Sequence, residues 1–381
     1  MKAVIVGGGP VGLAAALAIK AHGVTDDITV LEAAAQATES FSDRNIALSA
    51  ASWRFLSDID VSVPVTARAP IREIEVTQRG TFGLLRLEAR DVGAVELGAA
   101  TPYPALRTAL DQATRAAGIH VVYSAKAARI SHVAQRALIQ LESGEQLQTD
   151  CAVLADGSGS NLVPEFRHIE RDSGQVAVIT RVDCTEARPG VAFERFTAGG
   201  ALALIPRADR QWTVIWARPR VEAERLIQMD AESVSGEINA AFGSSMGVLT
   251  VKTRLTSYPL VWRFVEPRVA GAIVALGNAA QGLHPVAAQG LNLGLRDALD
   301  LAKVLAGEKR TASVTPIAMN LARFARIRGV DRLVRIGFTG LLAYGFDRGG
   351  WLADVPRGLG LTALQLMPPL KREVTRRLAL T

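Results

Sequence analysis

The start of the chain falls into three segments with different hydrophobic patterns. Residues 2–6 and 28–31 are apolar runs rich in β-branched residues, and residues 10–21, between them, are mostly small and apolar. The short runs predict strands, whereas the stretch of small residues predicts a helix that packs closely on a sheet. Together the three segments predict a βαβ unit with parallel strands and a right-handed crossover.

Later segments continue the alternation of strand-like and helix-like patterns. Apolar and polar residues alternate in segments that predict strands with one covered face, which are 71–78, 176–182 and the hairpin pair 201–206 and 212–217. Residues 101–118 predict a helix opened by Pro102 and Pro104, residues 121–157 predict more strands, and helices are expected from Leu291 onward. Because no repeat or long linker separates these blocks, any domains are expected to be interleaved.

Composition narrows the class of protein. A chain of 381 residues with 49% hydrophobic and 21% charged residues is typical of a globular protein of two domains or one composite domain. Its only cysteines, Cys151 and Cys184, exclude a disulfide scaffold, so a reducing cytoplasm is the expected compartment. No metal site is expected, because the histidines lack ligand spacing. The net charge of +6 does not predict nucleic-acid binding, since no basic run is interleaved with aromatic residues.

Three segments bear on targeting and on membranes. The first residues pass from an apolar run into glycines within ten positions, which leaves no room for a signal peptide. Residues 333–346 are apolar but shorter than the roughly 20 residues that a bilayer requires, so no transmembrane helix is expected. The basic residues near the C-terminus, with interspersed leucines, predict an amphipathic helix, which either lies on anionic lipid or faces solvent: Lys371, Arg372, Arg376 and Arg377.

A glycine-rich turn carries the first chemical signal. Gly7, Gly9 and Gly12 form G-x-G-x-x-G directly after the first predicted strand and at the start of the predicted helix. In this context the glycines provide a tight turn, room for a pyrophosphate and close packing of helix on strand. The helix N-terminus, which begins at Pro10 and Val11, directs N–H groups at the phosphate. Glu32 ends the second strand, where its carboxylate can accept hydrogen bonds from ribose hydroxyls. Dinucleotide binding is therefore predicted.

Three further motifs follow in order: DRNIAL at 43–48, ADGSGS at 155–160 and GNAAQGLHPVAAQGLNLG at 277–294. With the glycine turn, they resemble the class A flavoprotein monooxygenases, and the last and most specific motif resembles the UbiH/UbiF/COQ6-like FAD-dependent hydroxylases. The resemblance covers nearly the whole chain. It implies an α/β fold, in which a Rossmann-type FAD-binding domain (1–70, 101–165 and 266–305) is interleaved with an antiparallel-sheet substrate domain (71–100 and 166–265). A C-terminal helical region is expected over 306–381.

The resemblance also implies roles for individual residues. Arg44 and Arg107 are expected against FAD phosphate or ribityl groups, Asp156 at the joint between flavin and pyridine nucleotide, and Asn278 at ribityl or pyrophosphate oxygens. The helix opened by Gly290, Leu291 and Asn292 is expected to direct its N-terminus at the flavin ring. His284 is expected to handle a proton or to make a structural hydrogen bond, and Pro285 to lie beside the flavin. Two departures from the family pattern are Asn278, where many relatives carry Asp, and Ala288, where glycine is frequent.

The implied activity is hydroxylation of an aromatic ring with NAD(P)H and O2, through a flavin C4a-hydroperoxide. NAD(P)H is expected as a transient co-substrate, and the substrate as a polyprenylated phenol of ubiquinone biosynthesis. Two alternatives remain open, namely a hydroxylase of a soluble aromatic compound and a non-catalytic flavoprotein of a membrane-associated assembly. Trp212 and Trp216 are expected to face one side of their strand, either lining the substrate pocket or packing between sheet and flavin domain. The expected location is cytoplasmic, with contact to the inner face of the membrane if the C-terminal helix binds lipid.

Overall fold

The computed structural model describes residues 1–35, 44–80, 82–157, 161–282, 289–307, 316–329 and 351–380. Its first layer is a six-stranded sheet that is parallel except at one edge. The strands follow the order Val269–Ala270, Ile273–Ala275, Cys151–Leu154, Ala3–Val6, Ile28–Leu31 and His120–Val122. Ala3 lies opposite Ile28 on one side and Cys151 on the other, as the predicted βαβ unit requires.

Alternate residues of this sheet face two hydrophobic clusters. Ile5, Val30 and Val153 face the helices Pro10–Ala21, Tyr103–Ala116 and Gln289–Ala306. Val4 and Leu154 face a three-stranded antiparallel sheet on the opposite side, formed by Ala127–Val133, Arg136–Leu141 and Gln146–Thr149. Because both faces are covered, the strands are apolar throughout, as is usual for parallel sheets.

A second layer is a mostly antiparallel sheet of nine strands, called the large sheet. Eight follow the order Gln281–Gly282, Thr256–Glu266, Arg167–Cys184, Trp212–Pro219, Gly200–Pro206, Val191–Thr197, Glu73–Gln78 and Leu84–Glu88, and Leu249–Val251 pairs with Arg167–Cys184. One face is covered by the helices Arg220–Gln228 and Ala231–Phe242, which pack on Trp212 and Trp216. The tryptophans share one face as predicted, but their partners are these helices, so neither of the two expected environments is correct.

Smaller elements connect the layers. Asn45–Ser49, Gly98–Pro102 and Ala69–Ile71 form a three-stranded sheet, and the helix Ala50–Asp58 follows its first strand. Short 3-10 helices occupy Val65–Ala67, Ala89–Val92 and Gly277–Ala279. Near the C-terminus, residues 317–329 are helical, followed by the helices Trp351–Leu366 and Pro368–Ala379. The last two pack on the large sheet through a cluster that includes Leu85 and Leu87.

Three predicted boundaries are corrected. The single strand predicted over 71–78 is two strands in different sheets, which separate at Arg72. The helix predicted over 101–118 begins at Tyr103, because Thr101 pairs with Ile46 in a sheet. The strand predicted over 176–182 runs from Arg167 to Cys184 with a shift of register between Asp172 and Val176. The predicted hairpin is confirmed, since Gly200–Pro206 pairs antiparallel with Trp212–Pro219.

Candidate cofactor site and adjoining cavity

The glycine turn joins the first strand to the first helix at the carboxyl end of the six-stranded sheet. Gly7 has a φ of +110°, and a Cβ there would lie 2.4 Å from the carbonyl oxygen of Ala155. A Cβ on Gly12 would lie 1.9 Å from the carbonyl oxygen of Gly7. Both positions therefore require glycine for the close packing of the protein itself.

Gly9 differs from these two glycines. Its φ is −70°, which any residue adopts, and no described atom outside its immediate chain neighbours lies within 4 Å of a Cβ built on it. Gly9 is the N-cap of the helix Pro10–Ala21, so it offers no side chain to the N–H groups of the first turn. The open space and the available N–H groups fit the pyrophosphate of a dinucleotide.

Glu32 is oriented by the backbone beside this turn. One carboxylate oxygen accepts a hydrogen bond from the N–H of Gly8 and the other from the N–H of Ala34, each at 2.9 Å. These bonds direct the carboxylate across the carboxyl end of the sheet and leave further lone pairs for ribose hydroxyls. The sequence placed Glu32 at the end of the second strand, and the structure brings it against the glycine turn.

Two more predicted residues reach the same end of the sheet. The backbone of Asp156 abuts the turn, because a Cβ on Gly7 would lie 2.6 Å from its Cα. Asn278 lies in a 3-10 helix directly after the strand Ile273–Ala275 and is exposed there. Its Oδ1 is 3.9 Å from a Cβ built on Gly290. A Cβ built on Gly277 would lie 3.0 Å from the Val11 side chain, so Asn278 lies beside the glycine turn as well.

The two predicted arginines approach from the neighbouring elements. The guanidinium of Arg44 lies 5.2 Å from the ring centre of Tyr103 and 5.6 Å from that of Tyr258. Arg107 follows Tyr103 by one helical turn, and its Nε donates to Asp111 at 2.8 Å. Burial lowers the pKa of Arg107, but the hydrogen bond to Asp111 and the charges of Asp111 and Glu32 raise that pKa above its ordinary value. Arg107 is therefore a permanent cation near Glu32.

The start of the helix Gln289–Ala306 is fixed by Asn292. Its Oδ1 accepts from the N–H of Ser49 at 2.9 Å and from the hydroxyl of Ser52 at 2.7 Å, and its Nδ2 donates to the carbonyl of Ala47 at 3.1 Å. The Asn292 side chain thus binds the helix to the strand Asn45–Ser49, with Leu291 beside it at the helix start. His284, Pro285 and Ala288 lie outside the described residues.

A cavity of about 860 Å³ adjoins this region. Its wall on one side is the face of the large sheet opposite Trp212 and Trp216, and on the other the helices Ala50–Asp58, Gln289–Ala306, Trp351–Leu366 and Pro368–Ala379. Most lining residues are aliphatic, whereas Ser49 and Asn292 border it near the predicted flavin. Ionisable side chains from the helices contribute to the wall as well: Arg54, Asp58, Arg296, Asp300, Lys303 and Arg357.

Sequence reasoning missed Glu194, which lines the cavity from the middle of the large sheet. The surface that this half-buried side chain retains faces the cavity, where burial raises the pKa of its carboxyl to about 7. The signal was present in the strand Val191–Thr197, since Ala192, Glu194 and Phe196 share one face by alternation.

Cys151, by contrast, is fully buried, and burial raises the pKa of its thiol to about 12, which agrees with its predicted role as core filler.

Of the four basic residues named on the predicted C-terminal helix, only Lys371 departs from the expected exposed position. Lys371 is buried and its Nζ lies 2.8 Å from a carboxylate oxygen of Asp91. Val374 and Leu378 pack towards the large sheet, whereas Leu370, Arg372, Arg376 and Arg377 are exposed. In the described part of the chain, no helix is long and apolar enough to cross a bilayer. The predicted apolar segment 333–346 lies outside that part.

The dinucleotide turn on a parallel sheet, backed by a second, antiparallel sheet with a cavity, defines a flavin-binding class of protein. Residues 1–317 match the family described as FAD binding domain, and the chain belongs to that family. The predictions of a Rossmann-type α/β fold and of FAD as the cofactor are thereby confirmed. A FAD-dependent monooxygenase is the enzyme class that this family and its hydroxylase relatives support.

Two relatives and one solved structure illustrate the likeness. The chain is 29% identical to the ubiquinone hydroxylase UbiL of Rhodospirillum rubrum over 61% of this chain and 54% of that protein. It is 28% identical to the 3-demethoxyubiquinol 3-hydroxylase of Escherichia coli over 98% of this chain and 96% of that protein. The chain thus spans about half the length of the first relative and nearly all of the second. The p-nitrophenol 4-monooxygenase PnpA of Pseudomonas putida shares the fold, with a TM-score of 0.75 and 18% identity over 99% of this chain and 96% of that one.

Proposed function

We propose that the protein is a FAD-dependent hydroxylase of a polyprenylated phenol in ubiquinone biosynthesis, with NAD(P)H and O2 as co-substrates. The observation that carries this proposal is the cavity of about 860 Å³, whose aliphatic wall suits a hydrocarbon tail and whose border reaches Ser49 and Asn292 beside the predicted flavin. The names of the two hydroxylase relatives support the same substrate class.

The chain would hold FAD with residues of all its interleaved segments, as the predicted domain division requires. We assign the pyrophosphate to the turn from Gly7 to Gly12, a ribose to Glu32, and phosphate or ribityl oxygens to the side chains Arg44, Arg107, Asp156 and Asn278. When bound, FAD accepts electrons from NAD(P)H and activates O2. The protein contributes a cavity that excludes water and orients the ring, and the N-terminus of the helix Gln289–Ala306 stabilises negative charge beside it.

The membrane contact belongs to this proposal as well. Large apolar side chains are exposed on the two C-terminal helices and at the residue between them, namely Val355, Leu359, Leu366, Met367 and Leu370. The exposed Arg372 lies on the same stretch and suits an anionic headgroup. A cytoplasmic enzyme docked in this way would take a prenylated phenol from the membrane through the helices that line the cavity.

The experiment is NAD(P)H oxidation by the purified yellow protein with a short-chain prenyl phenol, with product analysis by mass spectrometry. Ala203 lines the cavity, so Ala203→Phe should remove the stimulation by prenyl phenol and keep FAD bound, whereas Ala198→Phe, at an exposed position, should leave both unchanged. Stimulation by a soluble phenol alone would favour the soluble-substrate alternative. Bound FAD without stimulation by any phenol would favour a non-catalytic role in an assembly.

A further inference from the structure

One face of the large sheet is almost uniformly apolar where it borders the cavity. Around Glu194, the cavity side of four strands carries aliphatic and aromatic residues: Ile74, Val76, Ala192, Phe196, Ala203, Ile205 and Ile215. Glu194 lies directly opposite Ala203 on one neighbouring strand and Val76 on the other. A carboxyl group therefore stands in the centre of an apolar wall.

On the opposite face of the same sheet, two carboxylates are paired with arginines. Glu73 and Glu75 both lie within 3.5 Å of the guanidinium groups of Arg86 and Arg188, so each is paired. Within the described residues Glu194 has neither a hydrogen bond nor an ion pair, and burial is the one cause of its raised pKa. Within the described residues, the carboxylates on this opposite face are thus paired with arginines, whereas Glu194 on the cavity face is not.

Ionisable groups do line the cavity from the other elements packed against it. The helix Ala50–Asp58 contributes Arg54 and Asp58, and Trp351–Leu366 contributes Arg357. The helix Gln289–Ala306 contributes Arg296, Asp300 and Lys303, and in Pro368–Ala379 the ammonium of Lys371 is directed at Asp91. Among the described residues none of these groups makes a hydrogen bond or an ion pair with Glu194, so a ligand in the cavity can bring the partner that the carboxyl lacks.

An unpaired carboxyl in an apolar wall lowers stability, and such a group is retained where a ligand pairs with it. We propose that Glu194 binds the ring hydroxyl of the substrate, accepts its hydrogen bond and serves as the base that removes its proton. This role rests on the proposed function, because it requires a phenolic substrate in this cavity. It makes Glu194 the residue that selects a free hydroxyl over an alkylated one.

The proposed step is a proton transfer from the ring hydroxyl to Glu194. The O–H bond of the ring hydroxyl breaks, an O–H bond forms on the Glu194 carboxylate, and the negative charge moves from the carboxylate to the ring oxygen. No electron is gained or lost by the protein in this step. The phenolate is the more electron-rich form of the ring, and a pKa of about 7 for Glu194 suits a base that operates near neutral pH.

The test compares a short-chain prenyl phenol with its O-methyl ether, which lacks the donor. The FAD-loaded wild type should bind the phenol about tenfold more tightly than the ether, because only the phenol pairs with the buried carboxyl. Glu194→Gln keeps the shape but loses the base. Its amide oxygen still accepts a hydrogen bond from the phenol, so the preference for the phenol should fall to about threefold, whereas kcat for the phenol should lose the limb that rises through pH 7 in the wild type.

Glu170→Gln is the matched control, because Glu170 lies on the same sheet but is exposed and paired with Arg263. It should behave as wild type, and equal FAD content in all three proteins shows that the fold is intact. A Glu194→Gln protein that still prefers the phenol tenfold and keeps the pH limb overturns the role of Glu194 while the proposed function stands. A FAD-loaded wild type that binds neither compound overturns the proposed function, and the role of Glu194 with it.

Discussion

The carboxylate of Asp297 lies 2.7 Å from the Nε of Arg328, and both side chains are buried, with exposures of 0% and 3%. The second oxygen of Asp297 accepts from Arg268 at 2.8 Å. Arg268 precedes the edge strand Val269–Ala270, and Arg328 belongs to the helical segment 317–329. This triad therefore fixes the helix Gln289–Ala306, whose N-terminus borders both the predicted flavin site and the cavity.

Removing one arginine of this triad should destabilise the fold. Arg328→Met leaves the buried charge of Asp297 with one partner instead of two, and breaking a buried ion pair costs about 3 kcal/mol. Denaturant unfolding followed by circular dichroism measures the change. Arg326→Met is the control, because Arg326 is exposed on the same helical segment, and it should change stability by less than about 0.5 kcal/mol. Equal effects of the two substitutions would contradict this account.

Two substitutions in the glycine turn should separate an effect on folding from an effect on cofactor binding. Gly12→Ala should destabilise the protein even without FAD, because its Cβ would lie 1.9 Å from the Gly7 carbonyl oxygen. A Cβ on Gly9 meets no described atom within 4 Å beyond its chain neighbours, so the flavin-free Gly9→Ala protein should keep its melting temperature. Its affinity for FAD should fall by tenfold or more, because the new methyl group enters the space assigned to the pyrophosphate.

Thermal unfolding of the flavin-free proteins and titration with FAD, followed by quenching of flavin fluorescence, distinguish the two effects. A Gly9→Ala protein that binds FAD as tightly as wild type would place the pyrophosphate elsewhere. A flavin-free Gly12→Ala protein as stable as wild type would mean that the backbone relaxes around this position.

Local signals explain what the sequence could predict. The βαβ unit is predictable because its strands and helix have distinct hydrophobic patterns. Gly7 is predictable because its turn requires a positive φ. Glu32 is predictable from its position at the end of the second strand. The pairing of Ala3 with Ile28 and the hydrogen bond from Gly8 to Glu32 both lie within the first 32 residues, so they are local in sequence.

Non-local pairing explains what the sequence could not predict. Residues 71–78 look like one strand, but Ile71 pairs with Gly98 in one sheet and Glu73 with Val191 in another, which forces the break at Arg72. The shared face of Trp212 and Trp216 follows from alternation, yet which helices cover it depends on the tertiary fold. For the same reason, alternation places Glu194 on a face but does not reveal that a cavity lies over it.

The C-terminal helix provides a third prediction. The ammonium of Lys371 is buried against Asp91, so Lys371→Met should weaken docking of Pro368–Ala379 by about 2 kcal/mol, the usual contribution of a charged hydrogen bond. Arg372→Met is the control, because Arg372 is the next residue on the same helix and its side chain is exposed. Hydrogen exchange should accelerate in this helix for the first variant only. Unchanged exchange in both would show that apolar packing alone holds the helix.

The raised pKa of Glu194 makes stability depend on pH in a specific window. Its carboxyl titrates near 4.5 in the unfolded chain and near 7 in the folded protein, so between these values the folded protein holds a proton that the unfolded chain has released. The contribution of Glu194 is therefore most favourable below pH 4.5, falls as pH rises through the window, and is lost above pH 7. The loss should be on the order of 2 kcal/mol, less than the full shift implies, because water in the cavity solvates part of the charge.

Glu194→Gln removes this titration, so its stability relative to wild type should rise from pH 4.5 to pH 7 and then stay constant. Denaturant unfolding of both proteins at a series of pH values gives the difference directly, and Glu170→Gln, whose carboxyl is exposed, should show no such rise. A stability difference that is the same at every pH would mean that the folded protein pairs the Glu194 carboxylate. The gain in stability would accompany a weaker preference for a free ring hydroxyl, as expected for a group kept for its ligand at the expense of the fold.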